Sequence, residues 1–300
     1  MITVIIIVKN DRRIRNTLIE LEKIPKPQKA EILVVDASKG KLDDIKKEFP
    51  KVRWVYFHNK INKKITIPEQ RNLGLKEAKG NIIAFIDADC IPTKNWLIEL
   101  IRPIKDEGEN IVAGFVKSKR KFPRLWDKGY KIFERQRYIP HAATMNFAFK
   151  KEVPEDVGYF DEKFEYSTDT DFCWRAISKG YKIRFAKKAK IFHDLGDLRN
   201  NVRRLFRYGQ AKINLLCKHP KKMLTLDGLN VIIYSIYILL LPITIFWVYY
   251  PLTIIIPLFK EILTKGPLET VFFNLVYSLG FIYGILVKIL KSIKYVFATS

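Results

Sequence analysis

The chain has 300 residues, 48% of them hydrophobic, and a formal net charge of +23. That length admits one large domain plus an appendage, and so basic a balance points to a polyanion or an anionic membrane surface. Nucleic acid is excluded as the partner: there is no zinc-finger spacing, no RNP-type aromatic motif and no basic helix leading into heptads.

Ile2–Val8 is a β-branched run that reads as a fully buried strand; it is too short, and lacks a preceding basic region, for a signal peptide. Arg12–Lys23 carries Ile14, Leu18, Ile19 and Leu21 at helical spacing. Glu31–Asp36 is a second buried strand ending in a carboxylate. A helix over Leu42–Phe49, a strand over Val52–Phe57 and a helix over Pro68–Lys79 follow. Asn81–Asp87 is a further strand ending in a carboxylate, and Asn95–Ile104 a helix. This alternation predicts a parallel sheet with helices on both faces. Ligands of such sheets bind beyond the carboxyl ends of the strands, where Asp36 and Asp87 lie. Beyond Gly108 the pattern loosens. Strands are expected over Ile111–Lys117, Thr144–Lys150 and Lys182–Ala186, with helices over Trp126–Tyr138 and Thr170–Lys179.

The C-terminal part differs in kind. Leu229–Phe259 and Val271–Val287 contain no charged side chain, and a bilayer core takes about 20 helical residues. Two spans, about 229–250 and 269–288, are therefore expected to form a helical hairpin after a domain over 1–225. Pro242, Pro251 and Pro257 interrupt the first run, and Trp247, Tyr249 and Tyr250 fit an interfacial aromatic belt. Arg203, Arg204 and Arg207, and then Lys218, Lys221 and Lys222, precede it, where anionic lipid attracts basic residues. With basic flanks outside both spans, the catalytic domain is expected in the cytoplasm. The alternative for the tail is a buried helical bundle. Cys90, Cys173 and Cys217 form no metal-spaced pair, and their odd number favours reduced thiols.

Asp87-Ala-Asp89 delivers two carboxylates to the rim of the sheet. Hard divalent cations prefer such oxygen ligands and neutralise a leaving diphosphate. A solvated loop carries the same triplet by chance. Thr168-Asp-Thr-Asp171 opens a helix, where capping and the dipole favour carboxylates in any case; a general base there is the functional alternative. His193, after Ile191-Phe192, is either structural or a third metal partner.

Together these segments resemble the family 2 glycosyltransferases of the GT-A fold, from Ile2 to about Gly209. Val4–Asp11 is similar to the family's first strand and turn. Glu31–Ser38 resembles the strand whose last Asp meets the donor's base, and Gln70-Arg-Asn72 the helix start whose Arg lies by the nucleotide. Asp87-Ala-Asp89 matches the metal motif. Met145–Lys151 and Val157–Glu162 resemble the acceptor-side segment. Asp169–Arg175 with Gly180 resembles the helix of the catalytic base, and Ala189–His193 the closing strand. Two positions depart from the pattern: Thr168 stands where the family usually has Glu, and Ala37 follows Asp36 in place of a common acidic residue. The Gln-x-x-Arg-Trp signature of processive synthases is missing.

The resemblance implies inverting transfer from a nucleotide-diphospho-sugar. Asp36 and Arg71 would hold the nucleotide, and Asp87 the ribose or the metal's water shell. Asp89 and His193 would hold Mg²⁺ or Mn²⁺, and Asp169 would deprotonate the acceptor. Asn146 and Arg175 would shape the acceptor side, Arg175 with Asp171 organising the base helix. The tail favours a lipid-linked or glycan acceptor and contact with membrane lipids. Two alternatives belong to other classes. A nucleotidyltransferase should have a glycine-rich loop after the first strand, which Lys9-Asn-Asp-Arg12 is not. A non-catalytic membrane scaffold would keep the fold without the chemistry.

Overall fold

The computed structural model describes residues 1–27, 29–58, 66–119, 133–194, 196–245, 247, 249, 251 and 267–299. The chain forms two compact units, Met1–Asp194 and Leu195–Ser300; the sequence reading puts the division near 225.

In the first unit, β1 (Ile2–Val8) is the central strand. Successive side chains point to opposite faces. Val4, Ile6 and Val8 enter a core with α1 (Ile14–Lys23), α2 (Asp43–Glu48) and α4 (Trp96–Asp106). Ile5 enters a second core with α3 (Ile67–Glu77), α5 (Glu152–Val157) and α6 (Thr168–Ser178). Both faces of β1 are covered, which is why its sequence is apolar without alternation.

β2 (Ala30–Asp36), β3 (Arg53–Tyr56) and β4 (Ile82–Ile86) lie parallel to β1 in the order β3-β2-β1-β4. The remaining strands are β5 (Cys90–Pro92), β6 (Ile111–Ser118), β7 (Tyr138–Ile139), β8 (Asn146–Lys150) and β9 (Ile183–His193). They extend the sheet as β8-β6-β9-β5, with β7 also on β9. Here the sheet turns mixed: β8 is antiparallel to β4 and β6, whereas β6 and β9 are parallel. The ladder between β6 and β9 slips after Gly114. Gly114 pairs with Ala186 and the next residue, Phe115, with Lys190, so β9 bulges over 187–189.

Three expectations are revised. β9 continues through His193, seven residues past the predicted end at Ala186, because the bulge lets it switch register without leaving the sheet. Tyr138 is in a strand, not a helix; residues 126–132 of that predicted helix lie outside the described residues. The helix α7 (Leu198–Lys218), capped by the Asp197 carboxylate on the Asn200 N–H, is absent from the sequence reading.

The second unit contains α7, α8 (Leu226–Leu239) and α9 (Pro267–Thr299). Within α9, Val271–Ile293 is long and apolar enough to cross a membrane, and it is the one such helix among the described residues. A shorter apolar helix covers Gly228–Leu239. The predicted first span is thus represented by a helix too short to cross alone, and the hairpin is not established; much of 246–266, with Tyr250, lies outside the described residues. α7 and α9 meet through glycines. A Cβ on Gly209 would come within 1.9 Å of the Tyr277 carbonyl oxygen, and one on Gly280 within 2.0 Å of that of Phe206.

Candidate active site

The carboxyl ends of β2 and β4 flank that of β1. Asp36 and Asp87 therefore stand on one rim, about 10 Å apart across the intervening strand. Asp36 is buried. Its Oδ1 accepts the Ser38 N–H at 2.7 Å, while Oδ2 is buried with no hydrogen-bond partner. The loop from β1 is tied to the same place, since Asn10 donates its N–H to Ser38 Oγ at 2.8 Å. A buried carboxylate oxygen without a donor is costly, and Asp36 Oδ2 could accept an N–H or O–H from a bound molecule.

The Asp-Ala-Asp turn is closed by the Cys90 N–H on the Asp87 carbonyl at 3.1 Å. From α1, the Thr17 hydroxyl donates to the Ala88 carbonyl at 2.8 Å. Burial pushes the Asp87 carboxyl above its ordinary range. The positive charge of Arg71 opposes that, and the negative charges of Asp89 and Asp169 add to it. Burial would also raise Asp89, but the hydrogen bond and charge of His193, with the charge of Arg13, outweigh it and leave Asp89 low. Asp89 Oδ2 is 3.2 Å from His193 Nε2 and 3.1 Å from Arg13 Nη2. Short strand β5 antiparallel to β9 brings this about, by setting Cys90 opposite His193. His193 is buried, and its Nδ1 has no partner.

Ligand atoms of Asp89, Cys90 and His193 lie within 4.8 Å of one another. Burial first, then the charges of Asp87 and Asp89, hold the Cys90 thiol well above its usual value. Sulfur is a soft ligand and a poor partner for a hard cation. The fitting donor set is therefore a carboxylate oxygen from Asp89 and an imidazole nitrogen from His193, and this set suits Mg²⁺ or Mn²⁺.

The Gln-Arg-Asn motif stitches α3 to two neighbours. Gln70 donates to Thr66 Oγ1 at 2.9 Å. Asn72 clasps the backbone of Phe160, donating to its carbonyl at 2.9 Å and accepting its N–H at 3.0 Å. Arg71 is buried over the Phe160 ring and donates Nη1 to Thr168 Oγ1 at 2.7 Å, while its Nε is buried without a partner. At the start of α6, Thr168 so holds the guanidinium through a hydroxyl. Asp169, one residue on, is half-buried and accepts the Thr170 N–H at 2.9 Å.

Asp171 is fully buried and ion-paired with Arg175 at 2.9 Å. Arg175 also donates to the carbonyls of Val157, Gly158 and Tyr159, each at 2.8 Å. Arg175 thus fixes the segment entering α6. Asn146 is buried and fully engaged inside the fold: Oδ1 accepts the Trp96 indole N–H at 2.8 Å, and Nδ2 donates to the carbonyls of Phe115 at 3.0 Å and Ala189 at 2.9 Å. Those carbonyls border the bulge, so Asn146 braces β9 on its way to His193. Gly114 makes room for the brace, since a Cβ there would sit 2.3 Å from Asn146 Nδ2.

Asp89, His193, Arg71 and Asp169 thus all lie within electrostatic range of Asp87, with Asp36 on the same rim. A cavity of about 390 Å³ lies elsewhere, by Arg102, Arg137, Arg184 and Lys188, toward the start of β9. The sequence reading omits Arg13. Its signal is nonetheless there: a cation two residues after Asp11, in the loop leaving a strand that ends beside the carboxylates.

The model of Glycosyl transferase family 2 matches residues 3–207. The chain belongs to glycosyl transferase family 2. Among its curated relatives in this family is the pre-mycofactocin glycosyltransferase of Mycobacterium tuberculosis (strain H37Rv), 30% identical over 174 residues, covering 51% of this chain and 35% of that one. Another is glycosyltransferase AglE of Haloferax volcanii, 27% identical over 153 residues, covering 48% and 50%. The chain spans half or less of the length of both. Among solved structures, the mannosyltransferase PcManGT from Pyrobaculum calidifontis, in complex with GDP-Man and Mn²⁺, has a TM-score of 0.68. It is 16% identical, with 95% of this chain and 86% of that one covered. S. aureus TarS 1-349 in complex with UDP-GlcNAc has a TM-score of 0.56 at 19% identity, with 76% and 71% covered. Such likenesses establish the GT-A fold.

Proposed function

We propose that this family 2 chain is a metal-dependent, inverting glycosyltransferase that moves a sugar from a nucleotide-diphospho-sugar to a lipid-linked acceptor. The observation that carries the reading is the convergence of Asp87, Asp89, His193, Arg71 and Asp169 at one rim of the sheet. The relatives' names and the nucleotide sugars bound by PcManGT and TarS support the donor class.

The orphaned Oδ2 of Asp36 receives an N–H or O–H of the donor's base. Arg71, with an unused Nε, offers its positive charge to the nucleotide. Asp87, directly after β4, meets the ribose or water around the metal. Asp89 and His193 hold Mg²⁺ or Mn²⁺, which when bound neutralises the charge of the leaving diphosphate. Asp169, in electrostatic range of Asp87, takes the proton from an acceptor hydroxyl as it attacks on the face opposite the leaving group. Asn146 and Arg175 shape the acceptor side by holding β9 and the 157–159 segment in place.

A lipid acceptor is supported by the tail. Only 28% of the apolar stretch within Val271–Ile293 is buried, whereas the core helix of a soluble bundle is mostly buried. Leu279, Leu286, Ile289, Leu290 and Ile293 are exposed along it, as lipid contact requires. A length of ~35 Å for 23 residues is enough to cross a bilayer core. The basic residues of α7 favour a cytoplasmic catalytic unit.

Purified protein offered a panel of nucleotide sugars, with and without chelator and Mn²⁺ add-back, tests the activity. Full turnover in chelator sinks the metal assignment, and no transfer from any donor sinks the enzyme. Asp169→Asn should bind donor normally and lose transfer by about 10² or more. If the acceptor is a lipid phosphate, already ionised, that loss shrinks, which separates the two acceptor chemistries.

A further inference from the structure

Arg13 has no part in the chemistry above, yet it touches the oxygen that matters most there. It precedes α1 in the loop leaving β1. Its Nη2 is 3.1 Å from Asp89 Oδ2, the same oxygen that faces His193 Nε2. Its Nε reaches both oxygens of Asp11, at 3.0 and 3.2 Å, and its Nη2 meets Asp11 Oδ2 at 2.6 Å. The Asp11 carboxylate also accepts the Arg13 backbone N–H at 3.0 Å. Arg13 is thus tethered by one carboxylate while it reaches another. Its side chain is 51% exposed while that of Asp89 is 15% exposed.

We propose that Arg13 is a placeholder cation: it occupies Asp89 Oδ2 before the divalent ion arrives, and then turns to the donor's diphosphate. This inference rests on the metal reading of Asp89 and His193. Three features carry it. A guanidinium and a divalent cation on one carboxylate oxygen repel each other, so the ion's arrival expels Arg13. The expelled group is not stranded, because the Asp11 pair stays with it. It also remains at the rim where a donor's phosphates would lie if a metal were held at Asp89 and the nucleotide at Asp36. A planar, always-charged guanidinium is suited to a phosphate's paired oxygens.

Opposite effects of one substitution on two affinities follow. Arg13→Met keeps the apolar stem and removes the charge. Without donor, Mn²⁺ should bind this variant about fivefold more tightly than the parent, the scale of one half-exposed unit charge at contact. At saturating Mn²⁺, UDP or GDP should bind it about fivefold more weakly. Arg13→Lys, still charged, should fall between the two for both ligands. Free Mn²⁺ is read by electron paramagnetic resonance and nucleotide binding by calorimetry, on the full chain in detergent. Loss of both affinities would make Arg13 a structural prop, and no change in either would make it a bystander; each result overturns the proposal. Should neither parent nor variant bind Mn²⁺, the metal reading falls and takes the placeholder with it. Mn²⁺ binding that persists in Asp89→Asn would instead show that the ion sits elsewhere, which overturns the placeholder and leaves the enzyme reading standing.

Discussion

Replacing Asn146 by alanine should damage both stability and the site, by an amount the geometry sets. Three buried groups lose their partner together: the Trp96 indole N–H and the carbonyls of Phe115 and Ala189. Each buried group left unsatisfied costs about 1–3 kcal/mol. The three share one side chain, and water entering the space left behind recovers part of the loss, so the total is about 3–4 kcal/mol rather than the full sum. For a unit of this size that corresponds to a fall in Tm of roughly 10 °C. Thermal unfolding in detergent, followed by tryptophan fluorescence, reads it directly, since Trp96 is itself a reporter. Asn146→Asp should be at least as harmful, because a carboxylate cannot donate to the two carbonyls and brings a buried charge. The bulge braced by Asn146 also sets the register that delivers His193. Mn²⁺ affinity should therefore drop in Asn146→Ala even well below its unfolding temperature. A loss under about 1 kcal/mol, or unchanged Mn²⁺ affinity, would refute the brace.

Arg175→Met strips the fully buried Asp171 of its guanidinium and three carbonyls of their donor. It should cost about 3 kcal/mol in a denaturant melt, and Arg175→Lys should recover only part, lacking the planar fork; wild-type stability in the methionine variant would remove Arg175 from this role. Burial raises the thiols of Cys90 and Cys173, whereas Cys217 is exposed. A maleimide at neutral pH should thus label one thiol per native chain and all three after unfolding, and rapid native labelling of a second would contradict the burial. Gly280→Leu forces a side chain into the Phe206 carbonyl and should destabilise the second unit by about 1–3 kcal/mol or more, while Leu286→Ala, at an exposed position, should be nearly silent in detergent melts.

The first half of the chain is legible because its strands are buried on both faces and its helices on one. Val4 and Ile6 feed one core and Ile5 the other, so a plain apolar run announces a central parallel strand. The carboxylates at Asp36, Asp87 and Asp89 are legible for the same reason, since the position of a strand end is fixed once the strand is. What escapes a sequence reading depends on pairing between distant segments. Nothing local in Ala186–Ala189 signals a bulge; it exists because Asn146, 43 residues before Ala189, satisfies the carbonyls beside it. Cys90–Pro92 is too short to have a period, and it is a strand only because β9 reaches past it. The amphipathic α7 is hidden by its many basic residues, which dominate the composition of that stretch while Leu205, Gly209, Leu215 and Leu216 form its buried stripe. The partner of Arg71 is also invisible, since only the fold brings Thr168 to it.

The glycine contacts between α7 and α9 reach further than packing. Where Gly209 faces the Tyr277 peptide and Gly280 faces that of Phe206, the two helices touch main chain to main chain, and only one stagger lets both contacts form. A slip by a single residue would drive Tyr208 or Leu279 into a gap sized for a hydrogen atom. The family match ends at residue 207, inside α7 and just short of Gly209. The hydrophobic tail is therefore keyed onto the helix in which the family's shared sequence runs out. An exchange of tails between relatives would succeed only where the incoming helix carried small residues at the places of Gly280 and Gly284, both of which face α7 main chain.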